Sequence, residues 1–537
     1  MLITHFSRSI SMPRSALLLM AVAVLVEPRP SRTAADEPVR INVTLDPAAA
    51  EQPLTGRLFV YCSRKPAGEP RSGPDWFSPE PFFAIDVANF KPGLTRFLDD
   101  RADGFPDRLS ALPPGKYRVQ ALLDQALDTN KSAEAAGNVY SDVREWQLDE
   151  RSPSIDLVLN RVVPPRRFQQ TAWSKELSLE SKLLSDFHQR PIFHLAAVIL
   201  PQSYQRQTTR RYPVMFIVPG FGGTHYDAAR LYPTGAPPAE PGEMEFIRVL
   251  LSGDCRWGHH VFADSETNGP RGEALVHELI PHIDATFRTV AAPTARFLTG
   301  HSSGGWSSLW LQVNYPDTFG GVWATAPDPV DFHDWQQVDL YASPPLSLYF
   351  DEQGQRRPIA RNAAKPIVWY ASFAKMDDVL SRGGQLRSFE AAFSPLDEDG
   401  LPKRMWDRET GEIDPDVVQA WAKYDISRLL SRDWLTLEPK LRGKLHVYTG
   451  EVDTFYLEGA VRRLAGTLKE LGSDAEVSVV PDRNHGDLLT KDLRHKIMRK
   501  MSQMYLAAHG GGEKVSGRPT VRRRVGIRQS SVPARAR

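Results

Sequence analysis

The chain has 537 residues, with 66 Lys and Arg against 65 Asp and Glu, a formal net charge of +1. Apolar residues make up 41% and charged residues 24%, an ordinary globular composition that excludes a mainly disordered, collagen-like or polytopic membrane protein. A phosphate-binding protein needs a basic excess, so the balanced charge argues against nucleic acid as the main partner. At roughly 100–200 residues per domain, the length allows about two to four domains.

The N-terminus predicts export. Arg8 and Arg14 precede an apolar run from Ala16 to Val26, and the small residues Thr33, Ala34 and Ala35 follow. A basic flank, a short apolar core and a small-residue exit fit a signal peptide over residues 1–35. The run falls short of the roughly 20 apolar residues that span a bilayer, so no stable membrane insertion is expected after cleavage. The expected location is secreted or periplasmic.

Residues 38–165 read as a β-sandwich of the Ig-like kind. Val39–Leu45 alternates apolar and polar residues. Leu58–Tyr61, Phe82–Ile85, Tyr117–Leu122 and Ser154–Leu159 are further strand candidates, and Pro113-Pro114-Gly115 marks a turn. Short strands punctuated by Pro and Gly are the pattern of sandwich folds. Pro164-Pro165 and Arg166-Arg167 read as a linker. Cys62 and Cys255 are the only two cysteines. Two separate buried thiols are expected rather than a disulfide, and there is no thiol set for a zinc or iron–sulfur site.

Residues 168–509 alternate strands and helices, which predicts an α/β domain with a mostly parallel sheet. Strands are expected at Phe193–Leu200, Val214–Val218, Val261–Ala263, Arg296–Thr299, Gly321–Ala324, Leu445–Tyr448 and Val477–Val480. Glu273–Phe287 repeats apolar residues at helical spacing despite Pro281, and Asp487–Ala508 reads as a long helix. The stretch of about 327–442 is too long for a connection and reads as an insertion over the sheet. Residues 510–537 carry a glycine triplet and many arginines with almost no apolar content, and read as a disordered basic tail.

One motif carries chemistry. Gly300-His301-Ser302-Ser303-Gly304 matches Gly-x-Ser-x-Gly between a strand and an amphipathic helix, the setting of a nucleophile elbow. A serine hydroxyl needs a base, and the base needs an acid to fix its tautomer. In this fold they follow in the order Ser, Asp or Glu, His. Of the later histidines, His446 lies in a strand, His495 in a helix and His509 at the tail, and His333 comes too early. His485 remains, in a loop between the last strand and the last helix. The acid should follow the preceding strand, which selects Asp453, with Glu451 as its neighbour and Asp328 or Asp331 as a shifted position. The oxyanion hole needs two N–H donors, here assigned to the amides of Ser303 and Phe221, the latter in Pro219-Gly220-Phe221-Gly222-Gly223. His277–His282 resembles a zinc-protease motif with wrong spacing, and Asp397–Gly400 lacks the remaining ligands of a calcium loop. No metal or cofactor is expected. Trp306, Trp323 and Trp335 are expected near the active face, with core packing as the alternative use of Trp306 and Trp323.

The glycine loop, Glu278-Leu279-Ile280-Pro281, the segment Gly300–Trp306 and Asp482-Arg483-Asn484-His485-Gly486 together resemble the putative esterase family, the esterase D and enterochelin-esterase type of α/β-hydrolase, over about residues 190–505. The resemblance implies Ser302, Asp453 and His485 as triad, and Phe221 and Ser303 as oxyanion donors. The family acts on several substrate classes, among them carbohydrate, feruloyl and siderophore esters. The long insertion after Ala326 departs from its pattern. The resulting expectation is a secreted serine esterase acting on a small-molecule or glycan ester, for instance a carbohydrate-linked or aromatic acyl ester. The alternatives are an acyltransferase with a non-water acceptor and a non-catalytic binding protein on a hydrolase scaffold.

Overall fold

The computed structural model describes residues 38–149 and 153–510. The expected signal peptide and all of the basic tail beyond Gly510 lie outside the described residues. No helix among the described residues is long and apolar enough to cross a membrane.

The first part is all β. Every strand expected there forms, as Arg40–Leu45, Leu54–Ser63, Phe82–Phe90, Gly115–Asp124 and Ser154–Val162. Four shorter strands join them at Thr95–Leu98, Asp103–Phe105, Val139–Ser141 and Arg144–Leu148. Hydrogen bonds connect eight of them into one path, and Arg144–Leu148 pairs with Gly115–Asp124 beside it, so all nine belong to one sheet. Alternation sets the two faces. Ile41, Val43, Leu45, Leu58, Val60, Cys62, Val119, Leu157 and Leu159 enclose one apolar core. Phe59, Tyr61, Phe82 and Leu122, from the opposite face, belong to the apolar cluster of the α/β part. The two parts are therefore joined through apolar packing, and the central strands read as continuous apolar runs because both faces are covered. Arg57, 4% exposed, fastens the junction: its guanidinium donates to the Val379 carbonyl at 2.9 and 3.1 Å and pairs with Asp103 at 2.5 Å.

The α/β part is built on an eight-stranded sheet. Its spatial order is Ser174–Glu180, Phe193–Ile199, Ile247–Leu251, Val214–Val218, Arg296–His301, Gly321–Thr325, Leu445–Gly450 and Glu476–Val480. The first two junctions are antiparallel and the remaining five parallel. A mixed sheet of this order, with a tight strand–turn–helix at Ser302 after the Arg296–His301 strand, is the α/β-hydrolase arrangement. The expected strand at Val261–Ala263 is not formed. Val261 and Phe262 have φ of 46° and 53°, left-handed values foreign to a strand. They form a tight turn whose amides donate to the rings of His259 and His260. The strand of this region is Ile247–Leu251 instead. The helix expected at Glu273–Phe287 runs from Arg271 to Thr286 and widens into a π turn at Leu275–Leu279. Pro281 follows directly and has no N–H for the regular ladder.

Between the strands Gly321–Thr325 and Leu445–Gly450 lie a hairpin, Pro358–Asn362 with Lys365–Trp369, and helices Tyr370–Leu380, Gln385–Phe393, Pro415–Trp421 and Ile426–Leu441. This material explains one departure from expectation. The helix Ser303–Asn314 is buried from Ser303 to Val313 rather than amphipathic. The sheet covers one side, and Phe393 and Tyr424 cover the other, their rings 5.0 and 5.5 Å from Trp306 and Trp310. A helix apolar all round is a covered helix. Cys62 and Cys255 are buried free thiols.

Candidate active site

Ser302 sits between the strand Arg296–His301 and the helix Ser303–Asn314 with φ 60° and ψ −129°. That is a strained conformation for a residue with a Cβ, held only because its surroundings fix it. The flanking glycines make the turn fit: a Cβ on Gly300 would run into the Gly304 carbonyl, and a Cβ on Gly304 into the Val218 carbonyl. The Ser302 carbonyl accepts from Trp306 N at 3.1 Å. The amide of Ser303 is in the first helical turn, where N–H groups have no partner within the helix.

His485 and Asp453 come together from two loops. His485 Nδ1 lies 2.9 Å from Asp453 Oδ2, and Asp453 Oδ1 accepts from the Phe455 amide at 2.8 Å. The Asp453 side chain is fully buried and the imidazole is 13% exposed. With Nδ1–H donated to the carboxylate, Nε2 is the nitrogen left to accept a proton. Backbone hydrogen bonds join the loops: Val452 N donates to the Arg483 carbonyl at 3.0 Å and Glu451 N to the Val480 carbonyl at 2.9 Å. Arg361, from the hairpin, clamps the acid turn through Nε to the Asp453 carbonyl at 2.9 Å and through its ion pair with Glu458 at 2.6 Å. His301 lies 4.5 Å from the His485 ring, centroid to centroid. Burial, with the neighbouring His485 charge second, lowers its pKa to about 4.

The other acid candidates are elsewhere. Glu451 is exposed. Asp331 accepts from His333 N and pairs with Arg463 at 3.1 Å. Asp328 is in the site, but the imidazole is hydrogen-bonded to Asp453 and not to it. Ser302 Oγ, in the recorded rotamer, donates to Asp328 Oδ1 at 3.5 Å. Asp328 Oδ2 is buried without a hydrogen-bond partner. Burial pushes this carboxyl up to about 6.

The glycine loop forms a tight turn. Gly223 N donates to the Gly220 carbonyl at 3.0 Å, and Gly222 takes φ 74°, the position where a type II turn requires glycine. This turn lies beside Ser302; a Cβ on Gly220 would lie 3.4 Å from the Ser302 Cβ.

Gly220, Phe221, Ser302, Asp328 and His485 line one cavity of about 660 Å³. Its other walls are mostly apolar and include Phe373, Phe389 and Phe455. Two wall residues were invisible to sequence reasoning. Trp76 and Phe77 come from the β domain, and the Trp76 ring lies 5.4 Å from Phe221, 5.2 Å from Phe373 and 6.2 Å from Phe455. The tryptophans expected at the active face do not line it. Trp306, Trp323 and Trp335 are at most 2% exposed and pack on Trp310, His446 and Trp421. Among the described residues no group of three or more His, Cys, Asp or Glu is placed to hold a metal ion.

The family model described as "Putative esterase" matches residues 263–439. Two curated proteins of Mycobacterium tuberculosis, Esterase Rv1288 of strain H37Rv and Esterase MT1326 of strain CDC 1551, are 32% identical over 127 residues. The aligned stretch is 23% of this chain and 27% of each relative, so the chain spans only about a quarter of their length. Among solved structures, a ferulic acid esterase is 14% identical with a TM-score of 0.38, over 62% of this chain and 99% of that one. An S-formylglutathione hydrolase from Agrobacterium tumefaciens is 15% identical with a TM-score of 0.36, over 63% of this chain and 98% of that one. The matched segment carries Ser302 and the helix behind it.

Proposed function

We propose that this protein is a secreted or periplasmic serine esterase that cleaves carboxylic esters through an acyl-enzyme. The observation that carries the proposal is the His485–Asp453 pair at 2.9 Å in the wall of the cavity that holds Ser302 at its strained turn. This mechanism requires the Ser302 side chain to turn from Asp328 toward His485, which lines the same cavity. His485 takes the Ser302 proton as Oγ attacks the ester carbonyl, and Asp453 stabilises the imidazolium. The Phe221 and Ser303 amides donate to the oxyanion, and losing one such donor costs about 2.7–4 kcal/mol in barrier. Collapse of the tetrahedral intermediate expels the alcohol, which receives the proton from His485. Water, deprotonated by His485, then attacks the acyl carbonyl and frees the acid and Ser302.

The aromatic wall of Trp76, Phe221, Phe373, Phe389 and Phe455 supports an aromatic acyl group, because rings gain from offset and edge contacts beyond their burial. Residues 38–165, read as an Ig-like domain, then serve the site by supplying Trp76 and Phe77, and residues 168–509 form the hydrolase domain with its insertion at about 327–442. The test is turnover of acetyl, feruloyl and short-chain p-nitrophenyl esters by the mature protein. Ser302→Ala is expected to abolish turnover while leaving circular dichroism unchanged; full activity in that variant contradicts the proposal.

A further inference from the structure

A second cavity, about 630 Å³, shares no lining residue with the catalytic one. Lys131 of the β domain, Thr224–Tyr226 just after the Phe221 turn, and the segment around Arg256 and Arg271 contribute to its wall. It adjoins the glycine loop: a Cβ on Gly222 would lie 2.9 Å from Lys131 Nζ.

The charges of this wall do not cancel. Four arginines line it, Arg166, Arg190, Arg256 and Arg271. Arg166 is paired with Glu134, and Arg190 with Asp128 at 2.6 Å. Arg271 donates from Nε to the Asn268 carbonyl at 3.0 Å. Among the described residues neither Arg271 nor Arg256 has a carboxylate within ion-pair reach. The remaining carboxyl of the wall, Asp254, accepts from the Thr129 hydroxyl and the Asn130 amide. Burial pushes it up to about 6. Three imidazoles stand near Arg271. His188, His194 and His260 are all held below the usual histidine range, first by burial, with the Arg271 charge also lowering each. An imidazole, neutral or protonated, offers no counter-charge to a guanidinium. His225, 1% exposed, gives Nε2 to Glu176 at 3.3 Å, while its buried Nδ1 has no partner.

A guanidinium stays protonated in proteins, and a partly buried charge without a partner, as at Arg271, is disfavoured, whereas Arg256 reaches solvent. Two guanidinium groups without a carboxylate partner in one wall are the donor set of an anion site, since arginine forks match carboxylate and phosphate oxygens. The volume lies in the range of organic-ligand pockets, which is roughly 300–1,000 Å³. Ile192, Phe262 and Leu279 supply apolar wall. We propose that this cavity binds a small organic anion, with a carboxylate or phosphate group on Arg271 and Arg256 and an apolar body against Ile192, Phe262 and Leu279.

Calorimetric titration of the full chain with phenyl phosphate, benzoate and inorganic phosphate tests this. One saturable site is expected for phenyl phosphate or benzoate, tighter than for inorganic phosphate, and the better of the two identifies the head group. Arg271→Met and Arg256→Gln are each expected to weaken binding at least ~10-fold, the loss of one charged hydrogen-bonded contact. Arg256 is exposed, so its variant keeps the test valid should Arg271→Met fail to fold. Phe77→Ala, which alters the catalytic cavity, is expected to leave the affinity unchanged. The proposal is overturned by absent saturation with both organic probes or by unchanged affinity in the folded arginine variants. Inorganic phosphate binding as tightly as phenyl phosphate also overturns it, as does loss of binding in Phe77→Ala, which would place the probe in the catalytic cavity.

Discussion

Replacing Asp328 by Asn removes the carboxyl nearest the nucleophile hydroxyl and should change how stability depends on pH. Asp328 is 5% exposed; one oxygen accepts from Ser302 at 3.5 Å and the other has no partner. Burial is the main cause of its raised pKa, and the nearby Asp453 charge adds to it. Hydrogen bonds from Ser303 and Ser302 and the His485 charge oppose it, and the balance is about 6 against an ordinary 3.8. The folded state therefore holds this proton more tightly than the unfolded chain. The contribution to stability is fully present below about pH 4 and is lost as pH rises through about 6. At 1.36 kcal/mol per tenfold, ionising the group in place costs about 3 kcal/mol. Asp328→Asn has nothing to ionise there. Its stability relative to wild type should rise by about 3 kcal/mol between about pH 4 and about pH 8. Asp254 and Asp377, also raised by burial to about 6 and about 7, titrate in both proteins and cancel in the difference. Urea unfolding of both proteins at the two pH values, followed by tryptophan fluorescence, measures it. A chain with more than one folding unit need not unfold in one step, so the comparison uses the transition that reports the hydrolase part. An equal difference at both pH values, or a variant less stable at the higher pH, refutes the reasoning.

Two further outcomes follow from the site. Asp453→Asn keeps the volume but stops fixing the imidazole tautomer, and kcat should fall by about 10³–10⁴ with little change in KM; steady-state kinetics on an aryl ester check this, and a loss confined to KM contradicts the triad role. Trp76→Ala removes a ring that meets Phe221, Phe373 and Phe455, and KM for aromatic acyl esters should rise about 10-fold with a smaller change for acetyl esters, the scale of one lost apolar contact in a pocket; equal effects on both ester types would count against an acyl-binding role.

The legible parts of this molecule were the local ones. The turn around Ser302 is written in five consecutive residues, because two glycines must let backbones approach and a strand and a helix must flank them. Asp453 and His485 followed from chain order, and the structure places them in contact at 2.9 Å. Trp76 and Phe77 carried no such signal. They lie more than two hundred residues before Ser302 in the sequence, and only the docking of the β domain brings them to the cavity. The tryptophans near the motif drew attention instead, but the sheet and the insertion leave Trp306 and Trp323 no open side. Chain order also admits Asp328 as a shifted acid position. Its actual place, against the hydroxyl rather than the imidazole, depends on side-chain direction that strand and loop order do not encode. At Val261–Ala263 a short apolar run imitated a strand, and two left-handed residues in succession turned the chain back.

The central claim is that Ser302 is the covalent nucleophile, and intact-protein and peptide mass spectrometry after treatment with a fluorophosphonate test it most directly. One adduct per chain is expected, located on Ser302 and formed at a rate that collapses in His485→Ala. No adduct on the active protein, or an adduct on another serine with Ser302 unmodified, would contradict it.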